Sequence, residues 1–517
     1  MFNNFCTEKM TYVSGLRKEK GLNHSQVSDR MYQSEHKEGV MAKGTIYQLL
    51  SGVIFVGSGY IIHIGLARYL GSELYGIFGV ILSLLGINYL FLLSGVRDSI
   101  SKFTAEDHGL VHSILKEGLK IQGAFSLILA SLYFVLSSAI ASWLNDSSLT
   151  QYIRLSALAV PLTAIYTAYL GSLNGVRAFG KEAAIRIVYS LAKVILIFAF
   201  VFLGFQISGA ICGYILASLA ALIVAGHTCR FGRTSASFDY RKIVRFATPI
   251  IMFSGVSTLL TNLDLLFVKA MLQDNSQAGF YTAASNLAKS PLSVFYAFSL
   301  TLFPSVSRST ASGDLLQTQA YIRSSVKYLI MLIIPFASLI SATSGNLIQF
   351  FYSSQFSAAG TPLSILMFGM CFFSIFTLLT TIINASGRPT TSMIFGIATI
   401  LVNVMLNLAL IPVYQLVGAA LATSVSILFG ILLAGSYVYA KFKALMNFSS
   451  LLKILLASTV IFLISMIYAF SGIALLAQYV ILFALYFLLL YLLKGMIEED
   501  IQRGKVILKT VIQTKGC

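Results

Sequence analysis

The chain has 517 residues, 57% of them hydrophobic and only 11% charged, with a mean hydropathy of +0.82. A soluble protein of this length carries about 25% charged residues, so a water-soluble enzyme is excluded at the outset. The formal net charge of +17 suggests a nucleic-acid partner only until the basic residues are placed along the chain.

Residues 1–43 are polar with no apolar signal-peptide core, and are expected to form a disordered cytoplasmic tail. The apolar residues that follow come in blocks of about 20, the length a helix needs to cross roughly 30 Å of hydrocarbon. They show no period of two, which excludes a transmembrane β-barrel. Fourteen spans are predicted, at 45–67, 74–95, 119–143, 152–172, 183–203, 206–226, 246–268, 278–302, 327–348, 361–383, 391–411, 415–437, 452–473 and 476–495. Two pairs are closely spaced, leaving Gly204-Phe205-Gln206 and Pro412-Val413-Tyr414 as very tight turns.

With the N-terminus taken as cytoplasmic, the basic residues sort themselves by side. Lys102, Lys116, Lys120, Arg177, Lys181, Arg186, Arg241, Lys242, Arg308, Arg323, Lys441 and Lys494, among others, fall on the cytoplasmic side. The opposite side has Arg68, Arg154 and Lys269. This is the positive-inside pattern, and an error of one span would scramble it. The protein is thus expected in the cytoplasmic membrane, multi-pass, with both termini cytoplasmic. The positive charge is topological and implies no nucleic acid. The five cysteines (Cys6, Cys212, Cys229, Cys371 and Cys517) have no metal-ligand spacing, and no disulfide is expected.

The two halves repeat each other. Gln206, Gly209, Ala210, Ala225 and Gly226 recur at a constant offset as Gln415, Gly418, Ala419, Ala434 and Gly435. LNGVRAFGK at 173–181 corresponds to INASGRPT at 383–390. The expected fold is therefore an all-α polytopic membrane protein with two six-helix lobes related by pseudo-two-fold symmetry and two appended helices. The divisions are an N-lobe at 44–226, a linker at 227–245, a C-lobe at 246–437, the appended spans at 438–495 and a tail at 496–517. Equivalent lobes place a substrate at their seam, which rocking opens to either side.

LARYLGSELYGIFG after the first span, GVRDSISKFTAED after the second, and TNLDLLFVKAML with GFYTAASNL opening the second lobe carry a family resemblance. The chain resembles the polysaccharide-biosynthesis flippases of the multidrug/oligosaccharidyl-lipid/polysaccharide (MOP) superfamily over nearly all of residues 41–495. The resemblance implies movement of lipid-linked sugars across the cytoplasmic membrane. Drug extruders of the superfamily usually have twelve spans, so the two extra spans favour the flippase branches.

Charges inside spans are costly and therefore informative. Lys193 lies at the middle of span 5 and Lys289 near the middle of span 8, two residues before Pro291. One lysine falls in each lobe, and both are candidate contacts for an anionic head group; packing against helix carbonyls is the alternative. Arg97, beside Asp98, lies where span 2 reaches the cytoplasmic face. The resemblance places an arginine near this point, at the cavity mouth, while snorkelling is the plainer account. Asp264 is an acid within span 7, with Asn262 two residues before it. It is a candidate for coupling to H+ or Na+, or for gating through Lys289, against a static buried ion pair. Asn262 and Asp264 face different sides of a helix and make a poor metal site alone.

Asn403 and Asn407, one helical turn apart, read as helix–helix glue, His63 as a core histidine, and the glycines of SGVIFVGSG as close packing. Trp143 sits at an expected membrane interface. No HExxH, GxSxG or phosphate-binding loop is present, so no catalytic residues, cofactor or metal are expected.

The excess of cations inside the membrane favours an anionic ligand. The reading is a flippase for a polyprenyl-(pyro)phosphate-linked oligosaccharide, working by alternating access for surface polysaccharide or glycan synthesis. Its partners would be the lipid-linked anionic oligosaccharide, membrane lipid, a coupling ion, and a glycan polymerase or glycosyltransferases. A cation-coupled multidrug extruder and a lipid II flippase are the alternatives. A scaffold or a membrane glycosyltransferase fits less well, since the one has no use for mid-span lysines and the other needs acidic loops.

Overall fold

The computed structural model describes residues 24–232 and 236–495. Helices dominate, and no strand occurs among the described residues. The first half holds α1 (His24–Leu93), α2 (Val96–Glu106), α3 (Val111–Val135), α4 (Ser137–Trp143), α5 (Leu149–Ala157), α6 (Ala159–Gly175), α7 (Phe179–Phe200) and α8 (Gln206–Thr228). The second holds α9 (Tyr240–Leu272), α10 (Asn275–Ala288), α11 (Pro291–Ala311), α12 (Leu315–Ala342), α13 (Ser344–Phe351), α14 (Gly360–Ala385) and α15 (Pro389–Phe442). The chain closes with α16 (Phe448–Ile467) and α17 (Ile473–Leu492).

Ten stretches among the described residues are long and apolar enough to cross a membrane. Three of them, 46–106, 179–228 and 389–442, run to 61, 50 and 54 residues, at least about twice what one crossing takes. Each folds back at a backbone break: Gly71 (φ 77), Gly204 (φ 92) with Gln206 (φ 46), and Gln415 (φ 50). His63 Nδ1 meets the Tyr75 hydroxyl at 2.9 Å across the first break, whereas twelve residues of straight helix would separate them by about 18 Å. Across the third, Asn403 Nδ2 reaches Ser426 Oγ at 3.3 Å. The protein is a multi-pass helical membrane protein.

Helix already begins at His24, within the expected tail, while residues 1–23 and 496–517 lie outside the described residues. The glycines of SGVIFVGSG do not serve close packing here: a Cβ at Gly52, Gly57 or Gly59 would meet nothing within 4 Å. The close approach lies elsewhere. A Cβ on Gly76 would fall 1.9 Å from the Asn275 carbonyl oxygen, and one on Gly279 2.0 Å from that of Ser72. No side chain fits there, so two glycines set how tightly α1 and α10 cross.

That crossing lies near the end of the bundle where the Gly71, α4–α5 and α9–α10 turns gather. At the same end Lys269 Nζ meets Asp146 Oδ2 at 2.8 Å, and Asn145 Nδ2 donates to the Ala270 carbonyl at 2.9 Å. Arg68 Nε donates to the Phe351 carbonyl at 2.7 Å and its guanidinium also to Phe350. Every one of these contacts joins the first half of the chain to the second. Towards the other end, α2 meets the start of α9, where Ser99 Oγ donates to the Ile243 carbonyl at 3.2 Å. There Leu50 and Val53 of α1 are exposed, Val53 to 70%.

Candidate functional site

A polar cavity of about 110 Å³ lies between the halves, lined by His63, Ser83, Thr261, Asn262, Asn286 and Lys289 among others. Lys289 stands at the C-cap of α10, where Pro291 opens the next helix. Proline has no N–H and clashes with the preceding turn, so the span is interrupted beside the lysine. Among the described residues no carboxylate lies within 4 Å of its ammonium. Asn262 turns its amide back to the Thr258 carbonyl at 2.8 Å while lining the same cavity. The cavity thus brings together two of the candidate site residues, Asn262 of α9 and Lys289 of the α10–α11 junction, beside His63 of α1.

Asp264, two residues along, faces away from that cavity and is buried. Its Oδ1 accepts from Asn407 Nδ2 at 2.9 Å and Asn403 Nδ2 at 3.1 Å. Its Oδ2 accepts from the Thr423 hydroxyl, with the Tyr281 hydroxyl at 3.4 Å. The two asparagines lie one turn apart on the first arm of α15, and Thr423 is on its second arm, brought back by the Gln415 break. Asn407 Oδ1 is buried with no hydrogen-bond partner. A carboxylate, a hydroxyl and two amides, one with an orphaned oxygen, form a buried oxygen-rich cluster. Neither Asn262 nor Lys289 belongs to this cluster.

Lys193 is 4% exposed and stands among rings rather than acids. Its Nζ lies 5.0 Å from the centre of Phe55, 5.3 Å from Tyr189 and 5.4 Å from Tyr214. These belong to α1, α7 and α8, so the cation sits in the middle of the first half.

Arg97 is held by Glu182, which the sequence reading passed over. Glu182 Oε1 accepts from Arg97 at 3.1 Å and Arg186 at 2.9 Å. Oε2 accepts from Gln48 at 2.6 Å and Asn174 at 3.0 Å. The carboxylate is 0% exposed while the arginines are 25% and 30% exposed. The cluster ties α1, α2, α6 and α7 together with a formal charge of plus one. Glu182 looked like a loop residue because it opens a span; the spacing Glu182–Arg186 was its one local signal.

Electrostatics at the end where Asp146 meets Lys269 are simple. Burial alone would raise the Asp146 carboxyl, but hydrogen bonds from Lys269 and Ser148 and the Lys269 charge hold it below its ordinary value.

The chain belongs to the polysaccharide biosynthesis protein family, whose sequence model matches residues 41–310. It is 23% identical to the lipid II flippase MurJ of Bacillus subtilis, an alignment covering 70% of this chain and 76% of that one. It is 22% identical to the probable low-salt glycan biosynthesis flippase Agl15 of Haloferax volcanii, over 77% of this chain and 83% of the relative. Among solved structures, the inward closed conformation of a lipid II flippase MurJ superposes with a TM-score of 0.68 at 17% identity. That match covers 87% of this chain and 98% of the other, and it shows a shared fold.

Proposed function

We propose that this member of the polysaccharide biosynthesis family is a flippase that moves a polyprenyl-(pyro)phosphate-linked oligosaccharide across the cytoplasmic membrane. It works by alternating access and serves surface polysaccharide or glycan synthesis. The observation that carries this reading is the sign of the charge inside the bundle. Lys289 faces the polar cavity without a carboxylate within 4 Å among the described residues, and Arg97 and Arg186 share one carboxylate. Lys193 adds a further buried cation, while the Asp264 carboxylate is enclosed by hydrogen bonds. Such a field draws in a pyrophosphate and repels an organic cation.

In this reading residues 44–226 and 246–437 are two lobes, 438–495 adds two spans, and fourteen crossings leave both termini cytoplasmic. The contacts at Arg68, Asp146 and Gly76 then seal the outer side, and the seam opens inward. Lys289 and Arg97 contact the head group, and Lys193 contributes its field from behind the rings. Asp264, with Asn403, Asn407 and Thr423, holds a coupling Na+, a hard cation that prefers oxygen donors. Asn262 lines the path beside Lys289. Relatives described as lipid II flippase and glycan flippase support a lipid-linked substrate.

The deciding experiment follows transbilayer movement of a fluorescent polyprenyl-pyrophosphate oligosaccharide in liposomes, with lipid II and a cationic dye run in parallel. Movement of the oligosaccharide lipid that falls at least ten-fold in Lys289→Gln supports the reading. Gradient-driven dye efflux without lipid movement overturns it in favour of an extruder, and movement of lipid II alone in favour of the lipid II reading.

A further inference from the structure

We infer that Phe55, Tyr189 and Tyr214 form an ammonium-binding aromatic cage whose built-in occupant is Lys193, and that this occupant keeps organic cations out of the transport path. This rests on the reading that the path serves an anionic head group.

Three rings from three helices converge on one Nζ at 5.0, 5.3 and 5.4 Å. That is the arrangement by which aromatic faces bind primary and quaternary ammonium ions. The rings are also braced against one another and their surroundings. Phe55 stacks on Tyr189 with centroids 6.4 Å apart and an interplanar angle of 22°, and Tyr189 leans on Tyr166 at 5.3 Å. Among the described residues no carboxylate lies within 4 Å of Lys193, so the rings are what face its charge. A methionine or leucine would fill this space without the cost of desolvating an ammonium, which points to the charge itself as the useful feature.

The consequence concerns specificity. The cage lies one ring from the polar cavity, because Tyr214 packs on Phe78 at 6.2 Å and Phe78 on the cavity-lining His63 at 6.1 Å, and its Phe55 is 47% exposed. An empty cage so placed would admit alkylammonium groups. Lys193 occupies it from within, so an arriving cation meets filled volume and like charge, whereas an anion meets a favourable field. The selectivity arises partly from repulsion of the wrong ligand.

The test is calorimetric titration of tetramethylammonium into the full-length protein in nanodiscs. Lys193→Ala removes the occupant beyond Cβ and should lower the Kd for tetramethylammonium at least ten-fold relative to wild type. Lys193→Met, which refills the cage without charge, should gain clearly less than Lys193→Ala, and adding Phe55→Ala to Lys193→Ala should remove the gain. The inference is overturned if a Lys193→Ala protein that melts within a few degrees of wild type shows no gain, or if Lys193→Met gains equally. Lys193→Ser gives the same reading should the alanine variant not fold. The outcome is separable from the transport reading. A wild type that moves no lipid-linked sugar beside a variant that gains the cation keeps the cage and discards the substrate.

Discussion

Gln206 and Gln415 adopt the same rare backbone conformation, φ 46 and ψ −126 in the first and φ 50 and ψ −126 in the second. Each reverses the chain between two long apolar helices, and each is followed three residues later by a glycine pressed on the preceding arm. A Cβ on Gly209 would lie 3.0 Å from the Phe200 carbonyl carbon, and one on Gly418 2.3 Å from the Leu410 carbonyl oxygen. The repeat extends upstream, where Arg177 N donates to the Asn174 carbonyl and Gly387 N to the Asn384 carbonyl, both at 3.0 Å. Sequence likeness between the halves is thus likeness of turns.

The conformation at both glutamines favours glycine, because positive φ crowds a Cβ. Gln415→Gly should be tolerated or mildly stabilising, while Gln415→Val should destabilise by about 1–3 kcal/mol. Thermal melts of the purified variants, with the Gln206 pair as an internal replicate, check this. Equal effects of glycine and valine would show that the turn is not under strain.

The Asp146–Lys269 pair should latch the end that the proposed topology places outside. Asp146→Asn should speed labelling of a Thr261→Cys reporter by an impermeant thiol reagent added from that side. Reversing both charges should restore the slow rate, since a charge pair is indifferent to its direction in a way that packing is not. Background from the native cysteines is subtracted with the parent protein.

The same pair sets a pH dependence. The folded carboxyl lies below its ordinary value, which is about 3.9 in a free aspartate. The latch therefore contributes fully above that value and is lost as pH falls through the depressed one. Normalised to the labelling of an exposed cysteine, which removes the pH dependence of the thiolate fraction, wild-type labelling should be flat from pH 5 to pH 8, about the range in which the aspartate stays ionised, and should rise only in stronger acid. Asp146→Asn should be fast throughout.

Glu182 neutralises two arginines from a fully buried position. Glu182→Ala leaves both cations facing one another and should destabilise by about 3–5 kcal/mol, as for other broken buried charge pairs. Glu182→Gln, which keeps the hydrogen bonds to Gln48 and Asn174 in reach, should cost less. Chemical denaturation in detergent measures both. If the two substitutions cost the same, the charge of the carboxylate rather than its hydrogen bonding holds the cluster.

Asp264 should confer a stabilisation specific to Na+. Raising NaCl should increase the melting temperature of the wild type, choline chloride at equal ionic strength should not, and the difference should vanish in Asp264→Asn. Asn407→Ala, which removes the orphaned oxygen, should weaken it at least ten-fold in apparent affinity. A response that is the same in both salts would assign the effect to screening.

Much of this architecture was legible in the chain because membrane folds obey strong local rules. Helices must satisfy their own hydrogen bonds in hydrocarbon, so apolar length alone marks the spans, and the repeat exposed the pairing of Gln206 with Gln415. The costly residues Lys193, Lys289 and Asp264 announced themselves by their burial in apolar sequence. What faces them did not. Asp264 meets Asn403, Asn407 and Thr423 across more than a hundred residues, Lys193 meets rings rather than a carboxylate, and Arg97 is bound by an acid that reads as loop. Hydropathy records how much apolar surface a segment carries, but the rotation of each helix about its axis comes from packing against its neighbours. That rotation decides which polar side chain meets which, and only the assembled bundle determines it.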